Sequence, residues 1–264
     1  MRFLPIAAVL VWGCAGPVPS RVTLATAAAP TARVEAPTRD SDSVVVTTRR
    51  IEIQRAVHDP VIIELPVVSG VRADIVRAIA EQLTPETLLL ESLEDVRAEA
   101  ARSSDDAFPS GLQNAGYRVL YNQHGLLEID ETTEYMAAYP STNRAHVLVD
   151  LRSGAPVTAD RAFRPTSTPK MVARLHAMLD DEVAHAPGTK DPDFANLFEN
   201  LDVTAKDLTD FSVSDAGVTF HYHYGFPHVA QALEPAGNFT LPWSEIASDV
   251  DPDGPLLRLA NGHR

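Results

Sequence analysis

The stretch YRVLYNQHGLLEIDETTEYMAAY, residues 117–139, decides the fold of this 264-residue chain. Its two arms flank the turn signal Gln123-His124-Gly125, and the second arm alternates between apolar and polar residues in the manner of a strand. The stretch AHVLVDL, at 145–151, predicts a further strand that is closed by a turn at Ser153-Gly154. We therefore expect consecutive strands that pair in antiparallel fashion.

Towards the N-terminus, two β-branched stretches at 44–54 and 61–68 predict another pair of strands. A helix is expected to follow from Val71 to Leu83, because its apolar residues fall four apart. Thr84-Pro85-Glu86 then has the composition of a helix start, and a second helix is predicted from there to Ala100.

Towards the C-terminus, helix and hairpin signals continue. A third helix is predicted to start at Thr168-Pro169, with Thr168 as its cap, and a short helix is predicted after Asp191-Pro192. The stretch FSVSDAGVTFHYHY, residues 211–224, predicts a hairpin with its turn at Asp215-Ala216-Gly217. Strands and helices in this mixed order predict an α+β fold, a largely antiparallel sheet with hairpins and with helices packed on one face.

The N-terminus is predicted to be a lipoprotein signal. Residues 1–13, MRFLPIAAVLVWG, place one cation before an apolar run that is too short to span a bilayer. The run leads into Cys14 in a sequence that resembles a bacterial lipobox, so we expect acylation of Cys14. The alternative is a signal peptide cleaved further on, near Ala27–Ala29. Residues 14–43 are rich in Ala, Pro, Thr and Ser and are predicted to form a disordered tether.

Composition restricts the partners of the protein. The formal net charge of −14 argues against binding to nucleic acid and against adsorption to anionic lipid, because both would repel the chain. Contact with the membrane is therefore expected through the N-terminal lipid only. No Asp directly follows Cys14, which predicts a location on the periplasmic face of the outer membrane.

An ordered series of motifs fills the second half of the chain. A hairpin of the form N-x-x-G at Asn122–Leu127 precedes VLVDLRSGAPV at 147–157, and VTFHYHYGFPHVAQALEPAGNFTLPWSEI follows at 218–246. This order resembles the domain of unknown function 3298. The segment Pro66–Gly70 lies in a region that is similar to the domain of unknown function 4163, which often precedes it.

Together with the N-terminal signals, the resemblance divides the chain into five parts, and it implies a type of function. They are the signal peptide 1–13, the tether 14–43, a 4163-like α+β subdomain 44–116, a 3298-like α+β domain 117–250 and a tail 251–264. Proteins with such domains include sensor portions of anti-sigma factors, non-catalytic portions of peptidoglycan deacetylases and envelope lipoproteins. The resemblance thus implies a non-enzymatic protein that binds an envelope protein or a peptidoglycan fragment.

Motifs for chemistry are weak. Ser167-Thr168-Pro169-Lys170 fits the S-x-x-K pattern of acyl-transferring enzymes, but its companion motifs are missing and a helix start explains the tetrapeptide. Two acidic clusters, 128–131 and 180–182, are predicted to be solvated surface rather than proton-transfer groups. We therefore predict no catalytic residue and no cofactor.

The histidines carry the strongest remaining signal. His221, His223 and His228 fall within eight positions, and residues two apart on a strand point to the same side. They could therefore form the site of a zinc-dependent hydrolase or a metal carrier. The alternative is that His221 and His223 face solvent on a half-exposed strand while Phe220, Tyr222 and Tyr224 face the core. A third hypothesis is a structural lipoprotein without a ligand.

Overall fold

The structure is a computed structural model that describes residues 42–102 and 109–262. The predicted signal peptide, Cys14 and the tether as far as residue 41 lie outside the described residues. Within the described part of the chain, no helix combines the length and the apolar character that crossing a membrane requires.

Five strands form the larger sheet in the order in which they occur along the chain. All neighbours in it are antiparallel except β2 and β3, which are parallel. A parallel pair needs a long crossover connection, and here the crossover contains three helices. The strands are β1 (Val45–Ile53), β2 (Val61–Ser69), β3 (Gly111–Gln123), β4 (Leu126–Met136) and β5 (Pro140–Asp150). The hairpin predicted at 123–125 is confirmed. His124 and Gly125 both have positive φ, 55° and 77°, as a tight turn that matches the twist of a hairpin requires.

The three connecting helices are α1 (Ala73–Gln82), α2 (Pro85–Leu89) and α3 (Leu93–Arg102). Thr84 caps α2 by accepting a hydrogen bond from the backbone N–H of Thr87 at 3.3 Å. The prediction of one continuous second helix is wrong, because Leu90 has a φ of 61° and ends α2. Ser92 then starts α3, and its hydroxyl accepts from the backbone N–H of Asp95.

A smaller antiparallel sheet follows, with strands β6 (Phe211–Val213), β7 (Gly217–His221) and β8 (Asn238–Pro242). The hairpin predicted at 211–224 is present, but β7 ends at His221. The remaining helices are α4 (Ala159–Ala162), α5 (Thr168–His185), α6 (Trp243–Ile246) and α7 (Leu257–Gly262). Short 3-10 helices occupy Pro165–Ser167, Pro187–Lys190, Ala195–Phe198, Ala205–Leu208 and His228–Leu233. The helix predicted after Asp191-Pro192 is one of these 3-10 turns.

Side chains of β4 alternate between two hydrophobic cores. Leu127 and Ile129 face the core that contains α1–α3, and Leu126 faces the second core, which contains α5 and the smaller sheet. The helices, hairpins and largely antiparallel pairing confirm the predicted α+β fold. Because both faces of β4 are covered, this strand lies at the centre of the molecule.

The sheet runs through the predicted boundary at 116/117. Strand β3 crosses this position, and the described residues from Asp42 onwards belong to one compact unit. The predicted tail at 251–264 is also part of the folded unit as far as the structure describes it, because Leu256, Leu259 and Ala260 are fully buried. The prediction of a tail is wrong for this segment.

Candidate functional site

A cleft of about 580 Å³ lies between the two sheets. We call it the histidine–carboxylate cleft. Strands β3, β4 and β5 supply one wall, and the other comes from the residues before β6, the end of β7 and the start of β8. Its polar lining includes Arg118, Asp130, Arg144, His146, Asp210 and His223.

Acidic residues of β4 lead from this cleft into the interior. Glu128 and Glu131 are 0% exposed and Asp130 is 5% exposed, so the prediction of a solvated acidic surface at 128–131 is wrong. The physical reason is the position of β4, whose two faces are both covered by other elements. The second cluster, 180–182, differs: Asp180 and Asp181 are exposed on α5 and Glu182 is half-buried.

Glu128 connects the two sheets. Its Oε1 accepts a hydrogen bond from His146 Nε2 at 2.9 Å, and its Oε2 accepts from the backbone N–H of Val213 on β6 at 2.9 Å. A buried carboxylate costs much free energy unless its oxygens are paired. Here both oxygens are paired, one with a residue of the larger sheet and one with a residue of the smaller sheet.

His146 lies between two carboxylates. On the side opposite to Glu128, its Nδ1 lies 3.9 Å from Asp210 Oδ1. Burial alone would lower the pKa of His146, but the hydrogen bond and charge of Glu128, together with the charges of Asp210 and Asp130, outweigh burial and raise this pKa above its ordinary value of 6.5. The arrangement therefore favours the imidazolium form at the inner end of the cleft.

We expect a histidine NMR titration to give His146 a midpoint above 6.5. Since the pKa is raised in the folded state, the stabilisation from this proton is complete below pH 6.5 and is lost as the pH rises through the raised value. The His146→Asn variant assigns the resonance. A midpoint at or below 6.5 would contradict the assignment of the ion pair with Glu128.

The three histidines of the predicted cluster do not lie together on one side of a strand. His221 is the last residue of β7, and His223 lies beyond the strand, with its Nε2 donating to Asp210 Oδ2 at 2.9 Å. His223 is exposed as predicted, whereas His221 is half-buried. The side chain of His228 is not among those that the structure describes. Sequence analysis missed His146, which lies far from the cluster along the chain, and Asp210, which directly precedes β6.

His221 belongs to a hydrogen-bonded row across the smaller sheet. Its Nδ1 donates to Asn238 Oδ1 at 2.7 Å, and its Nε2 lies 3.0 Å from Ser212 Oγ. Because an amide oxygen can only accept, the neutral ring carries its proton on Nδ1 and accepts from the Ser212 hydroxyl at Nε2. This is the order of groups in a nucleophile–base–orienter triad. No sequence motif predicts this row, because its three residues come from three different strands.

One feature opposes catalysis by this row. Enzymes of this kind stabilise the oxyanion with donors such as the backbone N–H that follows the nucleophile. The N–H that follows Ser212 is that of Val213, and it already donates to the buried carboxylate of Glu128. A negative charge at this position would repel a developing oxyanion. We interpret the row as a polar network that holds β6, β7 and β8 together.

The zinc hypothesis gains no support from the described side chains. Both ring nitrogens of His221 are hydrogen-bonded, and Nε2 of His223 is bonded to Asp210. In residues 42–102 and 109–262, no group of three or more His, Cys, Asp or Glu side chains has an arrangement that could hold a metal ion.

The S-x-x-K tetrapeptide lies at the start of α5, away from the cleft lining. Lys170 Nζ donates to both carboxylate oxygens of Asp249, at 3.0 and 2.9 Å. Pro169 occupies the first turn of α5 as predicted. The cap residue is Ser167, however, rather than Thr168, and its side chain makes no capping hydrogen bond.

Two further cavities are more apolar than the cleft. One, of about 650 Å³, is lined by side chains such as Leu148, Phe163 and Phe211 and shares His146 with the cleft. The other, of about 760 Å³, lies between the C-terminal part of α5 and the segment 232–239. The cleft differs from both in that arginine side chains line it together with carboxylates, and this makes it the candidate site for a polar ligand.

Comparisons with known proteins identify the fold. No protein-family model matches the chain, and no curated protein matches it in sequence. A DUF3298 family protein from Pseudomonas aeruginosa PAO1 matches the structure with a TM-score of 0.57 at 13% identity, over 81% of this chain and 97% of the other. A member of the same family from Bacteroides fragilis NCTC 9343 matches with a TM-score of 0.54 at 13% identity, over 85% and 98%. The predicted resemblance to the domain of unknown function 3298 is confirmed at the level of the fold. The 4163-like assignment stays a prediction.

Proposed function

We propose that this protein is an envelope-anchored, non-enzymatic lipoprotein that binds a cell-wall fragment in the histidine–carboxylate cleft. The observation that carries the proposal is the cleft itself, whose volume of about 580 Å³ falls in the range of small-ligand sites. A concave cavity of this size can enclose a small fragment, whereas a protein partner would bind over a broad surface.

The composition of the cleft supports a polar ligand. Guanidinium groups of Arg118 and Arg144, carboxylates of Asp210 and Glu234, and the Asn238 amide all line the same space. Cell-wall fragments carry hydroxyl, amide and carboxylate groups, and such a lining can hydrogen-bond to all of them.

Two observations support a binding role rather than catalysis. The described histidines of the cleft are held by protein partners, as is expected of groups that shape a site. The backbone N–H that a serine nucleophile at position 212 would need is bonded to Glu128. The anchor is proposed to be a lipid on Cys14, which would keep the protein at the outer membrane and within reach of the wall.

The test uses the full chain with Cys14→Ser. We expect this variant to leave the membrane fraction, which tests the anchor and provides protein without detergent. Calorimetric titration with disaccharide-peptides, released from peptidoglycan by a muramidase, should show saturable binding with a Kd of about 1–100 μM. Asp210→Asn should weaken it about tenfold, because Asp210 positions both His146 and His223.

The matched control is Asp180→Asn. Asp180 also lies beside a histidine, 3.8 Å from His176, but on α5 and outside the cleft lining. It should leave the affinity unchanged within about twofold. Absence of saturable binding, or an equal loss in both variants, would refute the cleft as the wall-binding site.

A further inference from the structure

We infer that the ligand of the histidine–carboxylate cleft is a zwitterionic peptide, one that presents a free carboxylate and a free ammonium group. This inference rests on the proposed function and specifies which part of a cell-wall fragment is recognised, namely its peptide stem rather than its glycan. The charges of the two cleft walls carry the inference.

The first wall has a net positive charge at Arg144. In the larger sheet, Arg118 lies opposite Asp130, which in turn lies opposite His146. Arg118 Nη2 lies 2.7 Å from Asp130 Oδ2, so these two charges compensate each other. Arg144 precedes His146 by two residues on β5 and therefore lies on the same face, about 7 Å away along the strand.

Arg144 has no protein partner for its charge. Among residues 42–102 and 109–262, its exposed guanidinium makes no hydrogen bond and no ion pair. A guanidinium group presents a fixed fork of donors that matches both oxygens of a carboxylate. An unpaired arginine on the wall of a cavity is therefore suited to a ligand carboxylate.

The second wall is acidic. Asp210 accepts from His223, and Glu234 Oε1 accepts from the backbone N–H of Tyr224 at 3.1 Å. The other carboxylate oxygen of Glu234 has no hydrogen-bond partner in the part of the chain that the structure describes. It is available to a donor on the ligand, and an ammonium group supplies three.

Opposite charges on facing walls select against neutral ligands and against ligands that carry only one sign of charge. A neutral glycan would cover Arg144 and Glu234 without pairing them, and uncompensated desolvation of a charge is costly. A ligand with only one sign of charge would satisfy one wall and be repelled by the other. A peptide with a carboxylate near Arg144 and an ammonium near Glu234 pairs both. Stem peptides of peptidoglycan that contain a diamino acid have these two groups.

The experiment titrates the full chain with the tripeptide L-alanyl-γ-D-glutamyl-meso-diaminopimelate in three forms. These are the free peptide, a derivative in which every carboxyl group is amidated, and a derivative in which every amino group is acetylated. Arg144→Gln should weaken binding of the free peptide about tenfold or more but change the affinity for the amidated peptide less than about twofold. Glu234→Gln should show the same pattern with the acetylated peptide.

Arg49→Gln is the control. Arg49 is exposed on β1, has no ion-pair partner in the described part of the chain and does not line the cleft. It should change none of the affinities. A loss at Arg144→Gln that is equal for free and amidated peptides would overturn the inference. So would binding of peptide-free glycan as tight as that of the disaccharide-peptide, although the proposed function would stand. Failure of every wall fragment to bind would refute the proposed function itself.

Discussion

Replacing Glu128 by alanine should lower the free energy of unfolding by about 3–5 kcal/mol, an unusually large effect for one polar residue. Glu128 is 0% exposed and accepts hydrogen bonds from His146 Nε2 and from the backbone N–H of Val213. Without the carboxylate, a favoured imidazolium and a backbone donor lose their shared acceptor in the interior. Urea unfolding monitored by circular dichroism at pH 6 measures the change.

The control is Glu134→Ala. Glu134 follows Glu128 by six residues on the same strand, so both side chains lie on the same face of β4. Glu134 is exposed and, among the described residues, accepts only from the Asn114 amide at 3.1 Å, so its loss should cost less than about 1 kcal/mol. Equal losses for the two variants would show that Glu128 does not connect the sheets.

Glu128→Gln keeps the test decisive if the alanine variant does not fold. An amide has one acceptor oxygen, whereas the carboxylate here accepts from two donors. While His146 is protonated, as is expected at pH 6, glutamine can therefore satisfy either His146 or Val213 but not both. We expect a loss of about half that of the alanine variant, and a loss below about 0.5 kcal/mol would contradict the two-sided bridge.

Local signals in the sequence predicted much of the fold. The turn at His124-Gly125 and the cap at Thr84 each depend on residues within a few positions, and both are where the sequence places them. The break at Leu90 is not predicted, because a left-handed residue at a helix end is usually a glycine and this position is a leucine. Local patterns therefore fixed the type of most elements but not every boundary.

The site could not be predicted in the same way. The polar neighbours of Glu128 in sequence predict a solvated side chain, yet burial of a strand depends on what covers it. The smaller sheet covers β4 through Val213, a contact across 85 positions of sequence. Asp210 likewise reaches His146 from the residue that precedes β6, a strand of the other sheet. Such pairings are decided by tertiary packing, and no spacing rule in the sequence encodes them.

Glu131 lies next to the charges of the cleft but on the opposite face of β4. By alternation along the strand, its side chain points with Leu127 and Ile129 towards the core that contains α1–α3. It is 0% exposed, and neither of its carboxylate oxygens has a hydrogen-bond partner in the described part of the chain. Burial, with smaller contributions from the charges of Asp130 and Glu64, raises the pKa of Glu131 to about 8.

The stability of the protein should therefore fall as the pH rises from about 4.5 to about 8. In this interval the folded state holds a proton on Glu131 that the unfolded state, with an ordinary pKa of 4.5, has released. At about 1.4 kcal/mol per pH unit, the loss attributable to this carboxyl group is on the order of 5 kcal/mol. Below pH 4.5 both states are protonated, and the group adds no pH dependence.

The Glu131→Gln variant isolates this effect, because glutamine is neutral throughout. Relative to the wild type, its free energy of unfolding should rise by on the order of 5 kcal/mol between pH 4.5 and pH 8.5, as measured by urea unfolding at closely spaced pH values. The matched variant Glu134→Gln removes an exposed carboxylate from the same strand and should run parallel to the wild type. A constant difference between Glu131→Gln and the wild type would mean that Glu131 ionises in the folded state as readily as in the unfolded chain. The core on this side of β4 would then have to supply the carboxylate with solvation that its neighbours in the structure do not provide.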